Sequence, residues 1–148
     1  MILNNYKNFP RVGRIIGLDW GLRRCGVAIS DENRDFVFVR PQINVKSQSD
    51  LIDLVISSTQ EEGAVGIVVG LPLYSDGSDS ETTVRVREFA NSLSKKIDLP
   101  ILFIEENLTS VAAQQELGKT SVAKIKTKLD SYSAKIILEN AINLLKRN

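Results

Sequence analysis

Residues 65–69 form a nearly all-apolar run, and this run constrains the fold of the chain more than any other feature. A strand of this kind is expected to be covered on both faces, as in a sheet with helices on each side. Apolar residues recur with helical spacing before the run, at residues 51–56, and after it, at residues 84–93. Gly63 is expected to end the first of these helices. The centre of the chain therefore predicts alternating strands and helices, which is typical of an α/β fold.

The amino-terminal part of the chain predicts three more strands. Residues 14–19 and 25–30 are short apolar runs with only a few residues between them, so we expect them to form an antiparallel hairpin. A third strand is predicted at residues 36–39, before Pro41. Together these strands predict a meander at one side of the sheet.

The carboxyl-terminal part predicts one strand and two helices. Pro100 precedes a strand at residues 101–104, and a short helix is expected at residues 108–117. Residues 119–128 are polar and contain four lysines, which indicates an exposed loop. The last helix is expected to begin near Asp130. We therefore predict a single domain over residues 14–148, with a mixed sheet flanked by helices, preceded by an extension at residues 1–13.

Composition excludes several kinds of chemistry. The chain contains no histidine and a single cysteine, Cys25, which excludes Ser-His-Asp and Cys-His catalysis, histidine-ligated metals and internal disulfides. The net charge of +1 does not indicate a polycation, although basic flanks surround an acidic centre. The longest apolar stretch, residues 65–73, is interrupted by glycine and proline and is far too short to span a membrane. With its lone cysteine, the chain is expected to be cytoplasmic.

Three acidic residues lie where regular elements are predicted to end or begin. Asp19 follows the first strand, Glu106 follows the strand at residues 101–104, and Asp130 opens the last helix. The carboxyl ends of parallel strands meet at one edge of an α/β sheet, where ligand sites gather. Taken singly, the three acids are also explained as a turn residue, a strand end and a helix cap. Taken together, they offer only oxygen ligands, which suit Mg²⁺ or Mn²⁺ rather than zinc or copper.

Several motifs occur along the chain in an order typical of one protein family. They are IGLDWG at residues 16–21, RCGVAISD at 24–31, VGLPL at 69–73, DGS at 76–78, EENLTS at 105–110 and DSYSA at 130–134. In this order they resemble the YqgF (RuvX) family of RNase H-like nucleases over about residues 14–145.

The resemblance implies an RNase H-like fold in which Asp19, Glu106 and Asp130 bind the catalytic Mg²⁺ or Mn²⁺. It further implies a metal-dependent nuclease that matures the 5′ end of pre-16S ribosomal RNA, with a Holliday junction resolvase as the related alternative. The chain departs from the family motifs at four positions: Leu22, Glu105, Asn107 and Ser133. Asn107 replaces an arginine that could hold a phosphate. This keeps open a third alternative, a ribosome-assembly factor that binds nucleic acid without cleaving it.

Basic residues near the expected site are candidates for contacts with a nucleic-acid backbone. Arg23 and Arg24 follow the first strand, and four lysines lie between the two late motifs: Lys119, Lys124, Lys126 and Lys128. Each group could hold phosphates or simply be solvated. The expected partner is a nucleic acid, either pre-ribosomal RNA or branched DNA. It would be bound by a monomer or, for a resolvase, by a homodimer.

Overall fold

The computed structural model describes residues 1–106 and 122–147, and the side chains of residues 1–106 and 132–147. Its strands are β1 (Ile15–Asp19), β2 (Arg24–Ser30), β3 (Val37–Asn44), β4 (Gly66–Pro72) and β5 (Ile101–Glu106). Its helices are α1 (Gln48–Glu62), α2 (Glu81–Lys96) and the C-terminal α3 (Val122–Lys146). The helix predicted at residues 108–117 lies outside the described residues.

These strands form one mixed sheet in the order β3-β2-β1-β4-β5. β2 is antiparallel to both β1 and β3, which confirms the predicted hairpin and meander. β4 is parallel to β1 on one side and to β5 on the other. The predicted α/β class, a mixed sheet flanked by helices, is therefore confirmed.

Both faces of the sheet are buried, as the apolar run at residues 65–69 predicts. One face packs against α1 and α2 and includes Ile16, Leu18, Ile67, Val69 and Ile101. The other face packs against α3 and includes Ile15, Val68, Leu102 and Ile104. Because successive side chains of a strand point to opposite faces, β1, β4 and β5 each contribute to both clusters.

Glycines let α3 approach the backbone of the two central strands. A Cβ atom on Gly17 of β1 would lie 2.8 Å from Leu138 Cβ and 3.2 Å from the Ala134 carbonyl oxygen. On Gly70 of β4 it would lie 2.5 Å from Ile137 Cδ1. Side chains at these two positions would push the helix away, so the glycines set the distance between α3 and the sheet.

β3 is longer than the sequence predicts. The expected strand ended before Pro41, whereas β3 continues through Pro41 to Asn44. Proline is tolerated because β3 lies at the edge of the sheet and is irregular at this point: Cys25 pairs with Ile43, but Val27 pairs with Arg40. The extra residue in β3 is a β-bulge, one of the places where a strand accommodates proline.

The last helix begins earlier than predicted. α3 starts at Val122, so the prediction of a loop at residues 119–128 is wrong from that residue onward, and Asp130 does not open the helix. Lysine is a good helix former, and Val122, Ile125 and Leu129 have helical spacing. The polar character of the segment was therefore a poor guide to its backbone. None of the described helices is both long enough and apolar enough to cross a membrane.

The residues before β1 contact the rest of the chain. Ile2 bridges to Ile101 in a parallel sense, and the Leu3 amide donates to the Ile101 carbonyl oxygen at 2.8 Å. Phe9 is buried, and its ring occupies the space that a side chain at Gly66 would need. Residues 1–13 therefore extend the packing at the β5 edge and beneath α3.

Candidate metal site

Asp19 and Glu106 lie at the same edge and on the same face of the sheet. They are the last residues of β1 and β5, and β4 lies between these strands and parallel to both. Side-chain alternation places Asp19 on the face of Gly17 and Glu106 on the face of Ile104, which is the face covered by α3. Glu105 is exposed, and the same alternation turns it to the opposite face.

Glu106 is buried beside a charge of the same sign. Its exposed fraction is 8%. Burial, and after it the negative charge of Asp19, raises the pKa of Glu106 from 4.5 to about 8. A Cβ atom on Gly70 would collide with Glu106 Oε1, so glycine at this position leaves room for the carboxylate. Near neutral pH, Glu106 therefore holds its proton unless a cation offsets the charge of Asp19.

This pair of carboxylates fits a hard divalent cation. Carboxylate oxygens are the ligands that Mg²⁺ and Mn²⁺ prefer, and a cation would stabilise the ionised form of the buried acid. Among the described side chains, no group of three histidine, cysteine or acidic residues could hold a metal. A third protein ligand would therefore belong to residues outside that set.

The backbone of Asp130 lies inside α3 rather than at its start. Asp130 occupies the third turn of the helix, one turn before Ala134, whose carbonyl oxygen would lie 3.2 Å from a Cβ atom on Gly17. The side chain of Asp130 lies outside the described ones. The structure therefore brings together two of the three predicted acids and gives the helical position of the third.

Only two of the six predicted nucleic-acid-binding residues have described side chains. Arg23 is exposed in the turn between β1 and β2, and its carbonyl oxygen accepts from the Val45 amide at 2.8 Å. Arg24 is half-buried at the start of β2. Both lie at the same edge of the sheet as Asp19. Lys119 is outside the described residues, and three lysines belong to α3 without described side chains: Lys124, Lys126 and Lys128.

Thr83 is a buried polar residue that the sequence analysis missed. Its hydroxyl donates to the carbonyl oxygen of Pro72, at the end of the strand between Asp19 and Glu106. The Ser80 hydroxyl accepts from the Thr83 amide at 3.1 Å, and the Thr83 hydroxyl accepts from the Ser80 amide at 2.8 Å. This capping box fastens the start of α2 to the edge that carries the acids. The sequence does contain a signal for this capping box: a serine followed three positions later by a threonine, just before a helical run.

Known proteins are similar to this chain over most of its length. A protein of Maridesulfovibrio salexigens, named "Putative pre-16S rRNA nuclease", is 39% identical over 128 residues, which cover 85% of this chain and 95% of that protein. A Rickettsia bellii protein of the same name is 31% identical and is matched over 99% of both chains. Among solved structures, the Thermus thermophilus RuvC structure matches with a TM-score of 0.53 at 10% identity, over 87% of this chain and 93% of that one. This structural likeness concerns the fold alone.

The family comparison covers most of the chain. The model of the family described as "RuvX: Holliday junction resolvase" matches residues 13–144, a range that contains all three acids. Both relatives exceed 30% identity over more than two thirds of the chain. The chain therefore belongs to the RuvX family.

Proposed function

We propose that this protein is a metal-dependent nuclease that hydrolyses a phosphodiester bond in the 5′-end maturation of pre-16S ribosomal RNA in the cytoplasm. The pairing of buried Glu106 with Asp19 at the carboxyl edge of the sheet carries the proposal. The names of the relatives in Maridesulfovibrio salexigens and Rickettsia bellii support the choice of substrate. Residues 14–148 would form the nuclease domain and residues 1–13 its extension.

We assign Asp130 as the third ligand because of the direction of α3. Ala134 lies over Gly17, whereas Leu145 lines a cavity with Arg34 near the start of β1, so α3 runs antiparallel to β1. One helical turn back from Ala134 is a shift of about 6 Å, and two strand residues forward from Gly17 is a shift of about 7 Å. The two steps run in the same direction and end at Asp130 and at Asp19. This geometry supports a site shared by α3, β1 and β5.

In this proposal the three acids hold Mg²⁺ or Mn²⁺ close to the scissile phosphate. Such ions would activate a water for in-line attack and stabilise the leaving oxygen, chemistry that needs no histidine. Glu106 gives up its proton when it becomes a ligand, since only the carboxylate binds a hard cation. Arg23, Arg24 and the lysines of the late segment would hold the backbone on either side of the cut.

Cleavage assays with three substrates test the proposed function. The full chain is incubated with single-stranded RNA, precursor ribosomal RNA and a four-way DNA junction, each with Mn²⁺ or with a chelator. We expect metal-dependent cleavage of the precursor, lost in Asp19→Asn and retained in Asp53→Asn, which alters an exposed aspartate of α1. Absence of metal-dependent cleavage on all three substrates, with RNA binding retained, would instead identify the assembly factor without catalysis.

A Holliday junction resolvase is the second candidate. The family description and the fold shared with the Thermus thermophilus RuvC structure favour it. A resolvase cuts two strands symmetrically and should therefore act as a homodimer, whereas cleavage of one RNA strand can be performed by a monomer. Light scattering combined with the substrate preference separates the two candidates. A dimer that prefers the four-way junction would replace the ribosomal-RNA assignment.

A further inference from the structure

A second buried charge lies at the opposite end of β1 from Asp19. Arg34 is only 5% exposed, and its Nε atom donates to the Gly13 carbonyl oxygen at 2.9 Å. Its Nη2 atom is buried and has no hydrogen-bond partner among the described residues. The guanidinium carbon lies 5.9 Å from the centroid of the Phe9 ring. The face of the ring attracts a cation but provides no oxygen acceptor for a hydrogen bond. A buried guanidinium left in this way is costly unless an acceptor from outside the chain completes it.

The backbone of Arg34 is also unusual. Its φ of 61° is left-handed, and among the described residues no other residue except glycine has a positive φ. The turn is held in place: the Arg34 amide donates to the Asp31 carbonyl oxygen at 3.1 Å, and the Phe36 amide donates to Asp31 Oδ1 at 2.7 Å. Strained backbone that the surroundings enforce is concentrated at functional sites. The strain and the unpartnered donor therefore point to the same residue.

Arg34 lines a basic cavity. The cavity has a volume of about 280 Å³, and its walls include Tyr6, Lys7, Phe9, Arg11 and Lys146. Four of the lining residues are cationic and, among the described residues, none is acidic. Lys146 pairs with Asp35, which lies outside the lining, at 3.9 Å. Four cations around one cavity repel one another, so an anion bound there would lower the free energy of all of them.

We propose that this cavity binds a phosphate group, with the guanidinium of Arg34 as its main donor and Lys7 and Arg11 as supporting cations. The phosphate could belong to a nucleic-acid strand or to a free phosphate or nucleotide. The nucleic-acid source rests on the function proposed above, whereas the anion site itself does not. Gly13 lies six positions before Asp19 in the sequence, a distance of roughly 20 Å in extended chain. A nucleic-acid strand that contacts both the cavity and the metal site would therefore be held several nucleotides away from its scissile bond.

Calorimetric titration in a chelating, low-salt buffer tests the site without any contribution from cleavage. The full chain is titrated with inorganic phosphate, with adenosine monophosphate and with a single-stranded RNA. We expect saturable phosphate binding that weakens about tenfold in Arg34→Gln, the effect of losing a charge-assisted hydrogen bond. The matched control is Arg85→Gln, which removes an exposed arginine of α2 and should leave the affinity unchanged.

The outcomes separate the possible sources of the phosphate. A parallel loss of RNA affinity in Arg34→Gln identifies a nucleic-acid strand, and loss of phosphate or nucleotide binding alone identifies the free anion. If circular dichroism shows that Arg34→Gln is unfolded, the exposed pair Lys7→Gln and Arg11→Gln replaces it, with an expected loss of about fivefold or more. Absence of saturable phosphate binding, or equal affinity in all folded variants, overturns the proposal. Failure of the cleavage assay leaves these results untouched, because no step here requires hydrolysis.

Discussion

An ionisable side chain is buried at each end of β1, an acid at the carboxyl end and an arginine at the amino end. At the carboxyl end, Glu106 is buried beside Asp19, a charge of its own sign. At the amino end, Arg34 is buried in a cavity that Lys7 and Arg11 also line. Because a buried charge is costly without a partner, our proposals complete each end with a ligand from outside the chain: a cation in one case and an anion in the other.

Glu62 is a charged residue whose partners both lie within the chain. Glu62 accepts from Arg14 through one carboxylate oxygen, at 3.2 Å, and from Arg40 through the other, at 2.9 Å. Both partners come from the chain itself. Glu106 and Arg34 differ from Glu62 in this respect, because the chain supplies no charge of opposite sign to either of them among the described residues.

The largest effect is expected at Glu106. Glu106→Gln keeps the shape of the side chain but removes a proposed metal ligand, so we expect metal-dependent cleavage to fall about a hundredfold or more, the upper range for residues that support a metal ligand. Glu105→Gln is the matched control, because Glu105 is adjacent, exposed and on the opposite face. Initial rates of cleavage at saturating Mn²⁺ measure both variants. Equal losses in the two would show that the buried position has no special role.

The stability of the metal-free protein should fall as the pH rises from about 5 to about 8. The pKa of Glu106 is raised from 4.5 to about 8, so in this range the folded chain retains a proton that the unfolded chain has lost. The slope has an upper limit of about 1.4 kcal/mol per pH unit. Urea denaturation at several pH values with a chelator measures it, and the slope should disappear in Glu106→Gln.

Other shifted acids act in a different pH window. Hydrogen bonds from the Phe36 amide and from Ser78 lower the pKa of Asp31 and of Asp76, respectively. Their contribution to stability is present above the ordinary carboxyl pKa and is lost only in more acidic solution.

Adding Mg²⁺ should flatten the slope of stability against pH between pH 5 and 8 if the cation replaces the proton of Glu106. A slope that persists in Glu106→Gln would assign the effect to another group.

Gly17 lies between the two ends of β1, and its replacement should disturb both. An alanine Cβ would lie 2.8 Å from Leu138 Cβ, so α3 must move away from the sheet. We expect Gly17→Ala to lower the free energy of unfolding by about 1–3 kcal/mol, as overpacking does. The double variant with Leu138→Gly should lose less free energy of unfolding than the sum of the two single losses, because glycine lacks the Cβ atom that the new alanine would meet. Full additivity in urea denaturation would mean that α3 is not held by this contact.

Much of the fold follows from the pattern of apolar residues. The run at residues 65–69 predicts a strand buried on both faces, and the spacing of the flanking residues predicts α1 and α2. The errors occur where context overrides local chemistry. Pro41 indicates the end of a strand, but an edge position with a bulge accepts it. The polarity of residues 122–128 indicates a loop, although lysine is compatible with a helix.

The candidate sites differ in how far a sequence can indicate them. Asp19 and Glu106 were predictable because acids at the ends of parallel strands meet at one sheet edge. The burial of Glu106 was not, because it depends on Gly70 in another strand and on α3 above both. Arg34 was missed altogether, since an arginine in a polar turn is ordinarily solvated. It is buried through contacts with residues distant in the chain, among them Phe9.

The smallest effect is expected at Lys146, and it sharpens the distinction between a buried and a solvated cation at the same cavity. Lys146 has a 55% exposed side chain, and its Nζ atom lies 3.9 Å from Asp35. Exposed pairs of this kind contribute little, so Lys146→Gln should change the free energy of unfolding by less than about 0.5 kcal/mol in urea denaturation. Its loss of phosphate affinity should be well below that of Arg34→Gln, because a solvated cation contributes only a screened field. If Lys146→Gln instead matches Arg34→Gln in phosphate binding, the anion is held at the rim of the cavity, and the burial of Arg34 serves the fold rather than the ligand.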